Sequence, residues 1–182
     1  MIYVVLIILV VLVAVAIGMY NGLIRKRNQV ENSWSQIDVQ LKRRNDLIPN
    51  LVETVKAYAA HEKETLNAVI EARNQAMAAP STPAAQGQAD QQLTGALRQL
   101  FALSEAYPDL KANQNFLELQ EELTSTESKV AYARQFYNDT VLSYNNKLDV
   151  FPTMFFARMM NFTRREYFEA DAKSREVPKL EF

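Results

Sequence analysis

The chain opens on an unbroken apolar run. From Ile2 to Ile17 every side chain is apolar or aromatic, Gly18, Met19 and Tyr20 extend the run, and no charge appears before Arg25. A bilayer core about 30 Å thick takes roughly 20 apolar helical residues to cross. The helix of a soluble core would show a polar face, and this run has none. The pattern predicts a transmembrane anchor over residues 1–21. A cleaved signal peptide is the rival reading, but it needs a basic segment before the apolar run and a small-residue cleavage pattern after it, and neither is present. Tyr20 stands where an interfacial aromatic belongs, and Arg25, Lys26 and Arg27 follow it. With Lys42, Arg43 and Arg44 further on, the cationic flank is the C-terminal one. The positive-inside rule then places the soluble part in the cytoplasm, N-terminus out.

Beyond the anchor the pattern changes to steps of three and four, one stripe of a helix. Val30, Trp34, Ile37 and Leu41, then Leu47, Leu51, Val55, Leu66 and Val69, predict helix from about Leu23 to Ala78. Pro49 is the one strong internal stop and is expected to kink or interrupt it. Because the anchor runs straight into this segment, a nearly continuous helix is expected, with Gly22 as its soft point. Residues 79–89, with Pro80, Pro83 and Gly87, read as a mobile loop. Leu93, Leu97, Leu100 and Leu103 mark a helix from about Asp90 that stops at Tyr107-Pro108. After a short connection, with Asn113 or Asn115 as the cap, the cleanest repeat in the chain follows. Phe116, Leu119, Leu123, Thr126, Val130, Ala133 and Tyr137, continued by Val141 and Tyr144, predict a long bundle or coiled-coil helix. A last helix is expected to begin at Pro152, persist to about Ser174 and end at Pro178, with Lys179 to Phe182 extended. The predicted fold class is all-α: a transmembrane helix on residues 1–21, then an antiparallel bundle of long helices with a shorter C-terminal one over residues 22–182.

Composition supports this reading and narrows the chemistry. Glycine occurs four times, and the net charge is −1 with both signs interspersed. That balance lacks the basic face a nucleic-acid binder shows, so no nucleic-acid partner is expected. There is no cysteine and one histidine. His61-Glu62 begins like a zinc-protease motif, but position 65 is Thr where a second histidine is required, so a surface histidine is the plainer reading. A glycine-rich phosphate loop, a nucleophile elbow and the Glu-x-x-His signature of di-metal bundles are all missing. No catalytic residue, metal site or cofactor is expected, nor a small-molecule substrate.

Two clusters stand out instead. The first is polar: Asp38, Lys42, Arg43, Arg44, Asp46 and Asn50 crowd around Pro49, while Arg134 and Asn138 interrupt the strongest repeat. An ordinary solvated face is the plainer reading. The sharper one is a buried or inter-subunit network that fixes register, formed if antiparallel helices bring the two groups together. The second is apolar: Met154, Phe155, Phe156, Met159, Met160 and Phe162 exceed the needs of a single stripe. That segment either caps the bundle end or forms a surface for another subunit, a partner or the bilayer. Its excess of apolar surface points to a homo-oligomer, and confinement in a membrane favours one.

Several blocks resemble one known family. Ile37-Asp38-Val39-Gln40-Leu41-Lys42-Arg43-Arg44 running into Asp46-Leu47-Ile48-Pro49-Asn50-Leu51-Val52 is similar to the most distinctive block of the LemA family. Tyr20-Asn21-Gly22-Leu23, Arg27-Asn28, Val55-Lys56, His61-Glu62 and Ala72-Arg73 fit around it in order. Tyr107-Pro108-Asp109-Leu110-Lys111-Ala112-Asn113, Phe116, Glu127, Ala133-Arg134, Phe136-Tyr137-Asn138, Tyr144-Asn145, Phe151-Pro152 and Phe168 match the later blocks. The resemblance implies an N-terminal membrane helix, a long-helix bundle on one side of the membrane, and no established catalytic activity or cofactor. It extends to magnetosome-membrane proteins, and to relatives with a lipoprotein-type anchor that this cysteine-free chain lacks. It also implies a link to envelope maintenance, because relatives are often encoded beside a membrane zinc protease. The functional expectation is a non-enzymatic, self-associating envelope scaffold or adaptor in the bacterial inner membrane. The alternative is an accessory subunit of a membrane protease or stress pathway.

Overall fold

The computed structural model describes residues 1–168. Its helices are α1 (Ile2–Tyr58), α2 (Lys63–Ala78), α3 (Pro83–Ser104), α4 (Pro108–Lys111), α5 (Gln114–Asp149) and α6 (Thr153–Met159). No strand occurs among the described residues, and the fold is all-α. The chain divides into two compact units, and both α1 and α5 contribute to each. The anchor unit comprises Met1–Gln36 and Ala133–Tyr167; among the described residues the core unit comprises Ile37–Tyr132 with Phe168.

The core unit is built from the stripes the sequence displays. On α1, Ile37, Leu41, Ile48, Leu51 and Val55 are buried; Leu66, Val69, Ala72 and Ala76 are buried on α2, and Leu93, Leu97 and Leu100 on α3. With Leu110, Phe116 and Leu123, most of these form one apolar cluster. Helices α2 and α3 pack on one another as a hairpin.

Pro49 lies inside α1 and does not interrupt it. Proline has no N–H, so the carbonyl of Asn45, four residues earlier, loses its helical donor. Arg73 of α2 supplies a replacement: its Nε–H donates to Asn45 O at 2.9 Å. The helix ends nine residues later at Tyr58 instead. Residues 59–62, Ala-Ala-His-Glu, carry none of the usual stop signals. Packing sets this end, because Ala59 and Leu66 are both buried and Tyr107 Oη–H donates to Glu62 Oε1 at 2.7 Å.

The expected loop over 79–89 is also shorter than predicted. Helix α3 starts at Pro83, with Thr82 in extended backbone accepting the Ala85 N–H on its side chain. Proline at the first helical position costs no donor and presets φ, so Pro83 starts the helix it was expected to delay. Gly87 lies inside that helix beneath a ring of the same unit: a Cβ placed on it would stand 3.1 Å from Phe168 Cε1. The expected connection after Pro108 contains the four-residue helix α4. Asn113 caps α5, its Oδ1 accepting the Phe116 N–H at 3.0 Å.

In the anchor unit, α1 runs from the apolar stretch through Gly22 without a break. This helix is long and apolar enough to cross a membrane, with a mean hydropathy of 3.2 over its most apolar stretch and none of that stretch buried. Leu23, Val30 and Ser33 are the first buried residues of α1. On α5 Tyr137, Val141, Tyr144 and Leu148 are buried, and Trp34 of α1 lies edge-on to Tyr137 at 5.4 Å between centroids. The hydroxyls of Ser33 and Thr140 are 2.8 Å apart where small residues let the helices approach.

The largest departure from expectation follows α6. This helix ends at Met159, and the segment from Phe162 to Phe168 is not helical. Asn161 takes φ 55°, in the left-handed region that asparagine tolerates better than most residues. Its N–H bonds Arg158 O, and the Phe162 N–H reaches back to Ala157 O at 2.9 Å. This pair of bonds is a Schellman motif, which satisfies the last carbonyls and turns the chain out of the helix. The remainder of the predicted helix, with Pro178 and Lys179 to Phe182, lies outside the described residues.

Candidate functional site: a buried arginine, a clamped segment and an apolar patch

Arg44 occupies a stripe position of α1. The buried residues step Ile37, Leu41, Arg44, Ile48, Leu51, and Arg44 is as enclosed as its neighbours, at 1% exposure. A buried guanidinium is tolerable only if it is paired and hydrogen-bonded. Its Nη1 donates to Asp90 Oδ1 at 2.6 Å and to Thr94 Oγ1 at 2.9 Å. Its Nη2 reaches Glu127 Oε2 at 3.5 Å, a longer contact with a half-exposed carboxylate that also lies 3.8 Å from Arg98. Asp90 is buried too, one turn before Leu93 on the apolar face of α3. The pair therefore sits where two hydrophobic stripes meet and ties α1 to α3 and α5 within the core unit.

Of the polar block around Pro49, the structure buries only Arg44 and its neighbour Asn45. Asp38, Lys42, Arg43, Asp46 and Asn50 are exposed. Arg43 makes an exposed ion pair with Glu122 at 2.7 Å, of a kind that contributes little. Burial of its surroundings holds the Asp38 carboxyl above the ordinary aspartate range. Arg134 and Asn138 are half-buried on the part of α5 that belongs to the anchor unit. The partners of Arg44 come instead from within the core unit, from Asp90, Thr94 and Glu127, which the polar clusters of the sequence do not include. Asp90 carries a detectable signal: it extends the Leu93, Leu97, Leu100 stripe backwards by three residues.

In the anchor unit the polar side chains of α5 serve the chain itself. Asn145 holds the backbone of Arg165 at both ends, its Nδ2–H donating to Arg165 O and its Oδ1 accepting the Arg165 N–H, each at 2.9 Å. Tyr144 Oη–H donates to Thr163 O at 3.1 Å, and Tyr137 Oη–H to Glu166 O at 2.9 Å. Burial pushes both phenols above the usual tyrosine range. Arg165 pairs with Glu31 of α1 at 3.0 Å, and Arg164 pairs with Asp149. A segment outside helix and strand has no backbone ladder of its own, so these side chains satisfy it.

Helix α6 buries its small residues. Thr153 and Ala157 face inward, Met154 and Phe156 are half-buried, and the larger apolar side chains point out. Phe151 is 77% exposed, Phe155 57%, Met159 66% and Met160 50%. Phe162 turns back to α1: its ring meets Tyr20 edge-on at 6.0 Å, and the Arg27 guanidinium lies over it. His61 is exposed in the 59–62 turn. No group of three or more potential metal ligands is found among the described residues.

Taken together, these features define an all-α protein with one helix able to cross a membrane, whose polar groups serve to hold helices and a clamped segment in place. The chain belongs to the LemA family, whose sequence model matches residues 33–182. It is 27% identical to Protein LemA of Metamycoplasma hominis over 159 residues, covering 86% of this chain and 71% of that protein. Similarity extends to Magnetosome protein MamQ of Magnetospirillum gryphiswaldense, 24% identical over 88% of this chain and 68% of the relative. Magnetosome protein MamQ 2 of Paramagnetospirillum magneticum is 23% identical over the same shares. None of these names is that of an enzyme.

Proposed function

We propose that the protein is a non-enzymatic scaffold or adaptor of the bacterial envelope, held in the inner membrane by the first part of α1 and self-associating in the plane of that membrane. The observation that carries this reading is the continuity of α1, a single 57-residue helix. Its first part is apolar and exposed, and its later part bears the buried stripe of the core unit. Anchoring confines copies to two dimensions and raises their effective concentration, which favours weak self-association without a large interface. The ion pair of Arg44 and the hydrogen bonds of the clamped segment are partnered within the chain, as expected of structural contacts. In this reading the kinship with proteins named for magnetosomes reflects a shared structural role.

Fractionation and mass measurement test it. The full chain is expected to stay in the membrane through high-salt washing, to be released by mild detergent, and to run above its 20.8 kDa protomer mass there. Release by salt alone contradicts the anchor. A single protomer per micelle at every concentration contradicts self-association, and stoichiometric recovery of a different membrane protein favours an accessory subunit over a scaffold. The basic residues after Tyr20 support a cytoplasmic domain with the N-terminus out. A tag placed after Phe182 should then survive protease added to intact spheroplasts, and its loss would reverse the orientation.

A further inference from the structure

We infer that the exposed apolar face of α6 is a membrane-surface contact, seated in the headgroup region of the same bilayer that the first part of α1 crosses. The inference rests on the reading of α1 as a membrane anchor. Within the anchor unit α1 and α5 run antiparallel, with Ser33 level with Thr140. Running the same distance along both helices brings the C-terminal end of α5, Asp149, level with about Ile24. That is just beyond the apolar run, so α6 begins at the depth where the anchor leaves the hydrocarbon. Phe162 fixes the level independently, because its ring touches Tyr20, the last aromatic of the span.

At that level a soluble helix would turn its Phe and Met side chains inward. Here α6 does the reverse, burying Thr153 and Ala157 and presenting Phe151, Phe155, Met159 and Met160 outward. Basic residues occur at this level: Arg25, Lys26 and Arg27 follow the apolar run on α1, the Arg27 guanidinium lies over the Phe162 ring, and Arg158 is exposed on α6 itself. An aromatic and methionine face flanked by basic residues matches the interior and rim of an anionic headgroup layer. A second copy of the chain would also cover the apolar side chains, but the level of α6, beside Tyr20 and the end of the apolar run, favours the lipid surface.

The absence of native cysteine makes the test direct. Full-length single-cysteine variants Val150→Cys, beside the patch, and Met160→Cys, at its end, leave the aromatic rings in place and are labelled with an environment-sensitive dye. They are reconstituted in phosphatidylcholine vesicles containing phosphatidylglycerol. Ile8→Cys reports the anchor and Glu118→Cys the exposed surface of the core unit. Lipids carrying a nitroxide near the headgroup should quench labels at 150 and 160 at least about twofold more than the label at 118, and iodide should quench them less. Replacing Phe151, Phe155 and Met159 together by Asp should abolish that difference at position 160. Shielding from iodide without quenching by the nitroxide lipid means that another polypeptide covers the patch, and overturns the inference. Full exposure to iodide at 150 and 160 with a lipid-buried label at 8 also overturns it, and leaves the anchor standing. A label at 8 that escapes lipid quenching overturns the anchor reading and this inference with it.

Discussion

The two units are held together by different means. The core unit buries leucine, valine and alanine on helices that meet along regular stripes, with the buried ion pair of Arg44 and Asp90 set among them. The anchor unit buries Ser33, Thr140, Asn145 and Thr153 among its apolar residues, and three side chains of α5 hold the non-helical segment after α6 by its backbone. In the first case specificity comes from one ion pair placed inside an otherwise apolar interface. In the second it is spread over neutral hydrogen bonds, several of which satisfy backbone groups that have no helix to belong to. One loss should therefore be costly in the core unit, while several small losses should add up in the anchor unit.

The sharpest test of that contrast is Asp90→Ala, which leaves the Arg44 guanidinium buried without its shortest partner. Breaking one side of such a pair costs about 3–5 kcal/mol. Unfolding of the full chain in mild detergent, followed by helical circular dichroism, should show a larger loss than Arg73→Met or Asn145→Ala produces. Replacing both partners with apolar residues, Arg44→Met with Asp90→Leu, should recover most of that loss, because the desolvation cost of both charges disappears with them. A double variant as unstable as Asp90→Ala would mean that the pair does more than compensate its own burial.

A second test concerns the proline inside α1. If Arg73 stands in for the donor that Pro49 lacks, Arg73→Met should cost about 1.5–3 kcal/mol, the range for a hydrogen bond involving a charged group. Pro49→Ala restores an N–H four residues after Asn45, and in that background the same Arg73→Met should cost markedly less. Equal costs in the two backgrounds would show that Arg73 and Pro49 act independently.

The anchor unit should respond more mildly and more locally. Asn145→Ala removes both hydrogen bonds to the Arg165 backbone, but Arg165 is exposed and water can replace part of what is lost, so about 1–2 kcal/mol is expected. The informative readout is hydrogen exchange. The Arg165 amide, whose acceptor is Asn145 Oδ1, should exchange much faster, while amides around Leu51 and Leu100 keep their protection. Loss of protection in both places would mean that the clamped segment and the core unit unfold as one.

This contrast also explains what can be read from the sequence. Helices α1, α3 and α5 are legible because their apolar residues repeat at three and four, and Pro108 and Asn113 mark boundaries by local chemistry. Arg44 is legible as a charge near a stripe, but its partner is not. The polar residues of α5 look like the natural complement, whereas Asp90 is hidden at the edge of a segment whose prolines suggest a loop. Pro83 reads as a breaker there, although it serves as a first helical residue. The end of α1 at Tyr58 has no local signal at all, since it is imposed by packing around Ala59. The segment after α6 reads as helix because its stop depends on Asn161 adopting positive φ, and its anchorage on Asn145 lies far back in the chain. Helical periodicity reports faces, but not which side chains satisfy a backbone that has left the helix.

The smallest effects bear on the same limit, at the two glycines of α3. An alanine in place of glycine inside a helix ordinarily gains about 1 kcal/mol, because glycine loses more backbone freedom on folding. Gly95 is exposed, and nothing stands within 4 Å of an added Cβ, so Gly95→Ala should gain close to that amount. At Gly87 the added methyl meets Phe168 Cε1 at 3.1 Å, with two further ring carbons behind it. Phe168 is buried, so its ring has little room to retreat. Gly87→Ala should therefore gain clearly less than Gly95→Ala, or lose up to about 1 kcal/mol if the ring is displaced. Phe168→Leu on its own costs burial, but in that background Gly87→Ala should regain the helical benefit because the flat ring no longer lies over the helix. Thermal unfolding of the four variants at one detergent concentration gives the comparison. If the two alanines gain equally in the parent chain, Phe168 does not press on α3, and Gly87 is there for some reason other than the residue that follows the clamped segment.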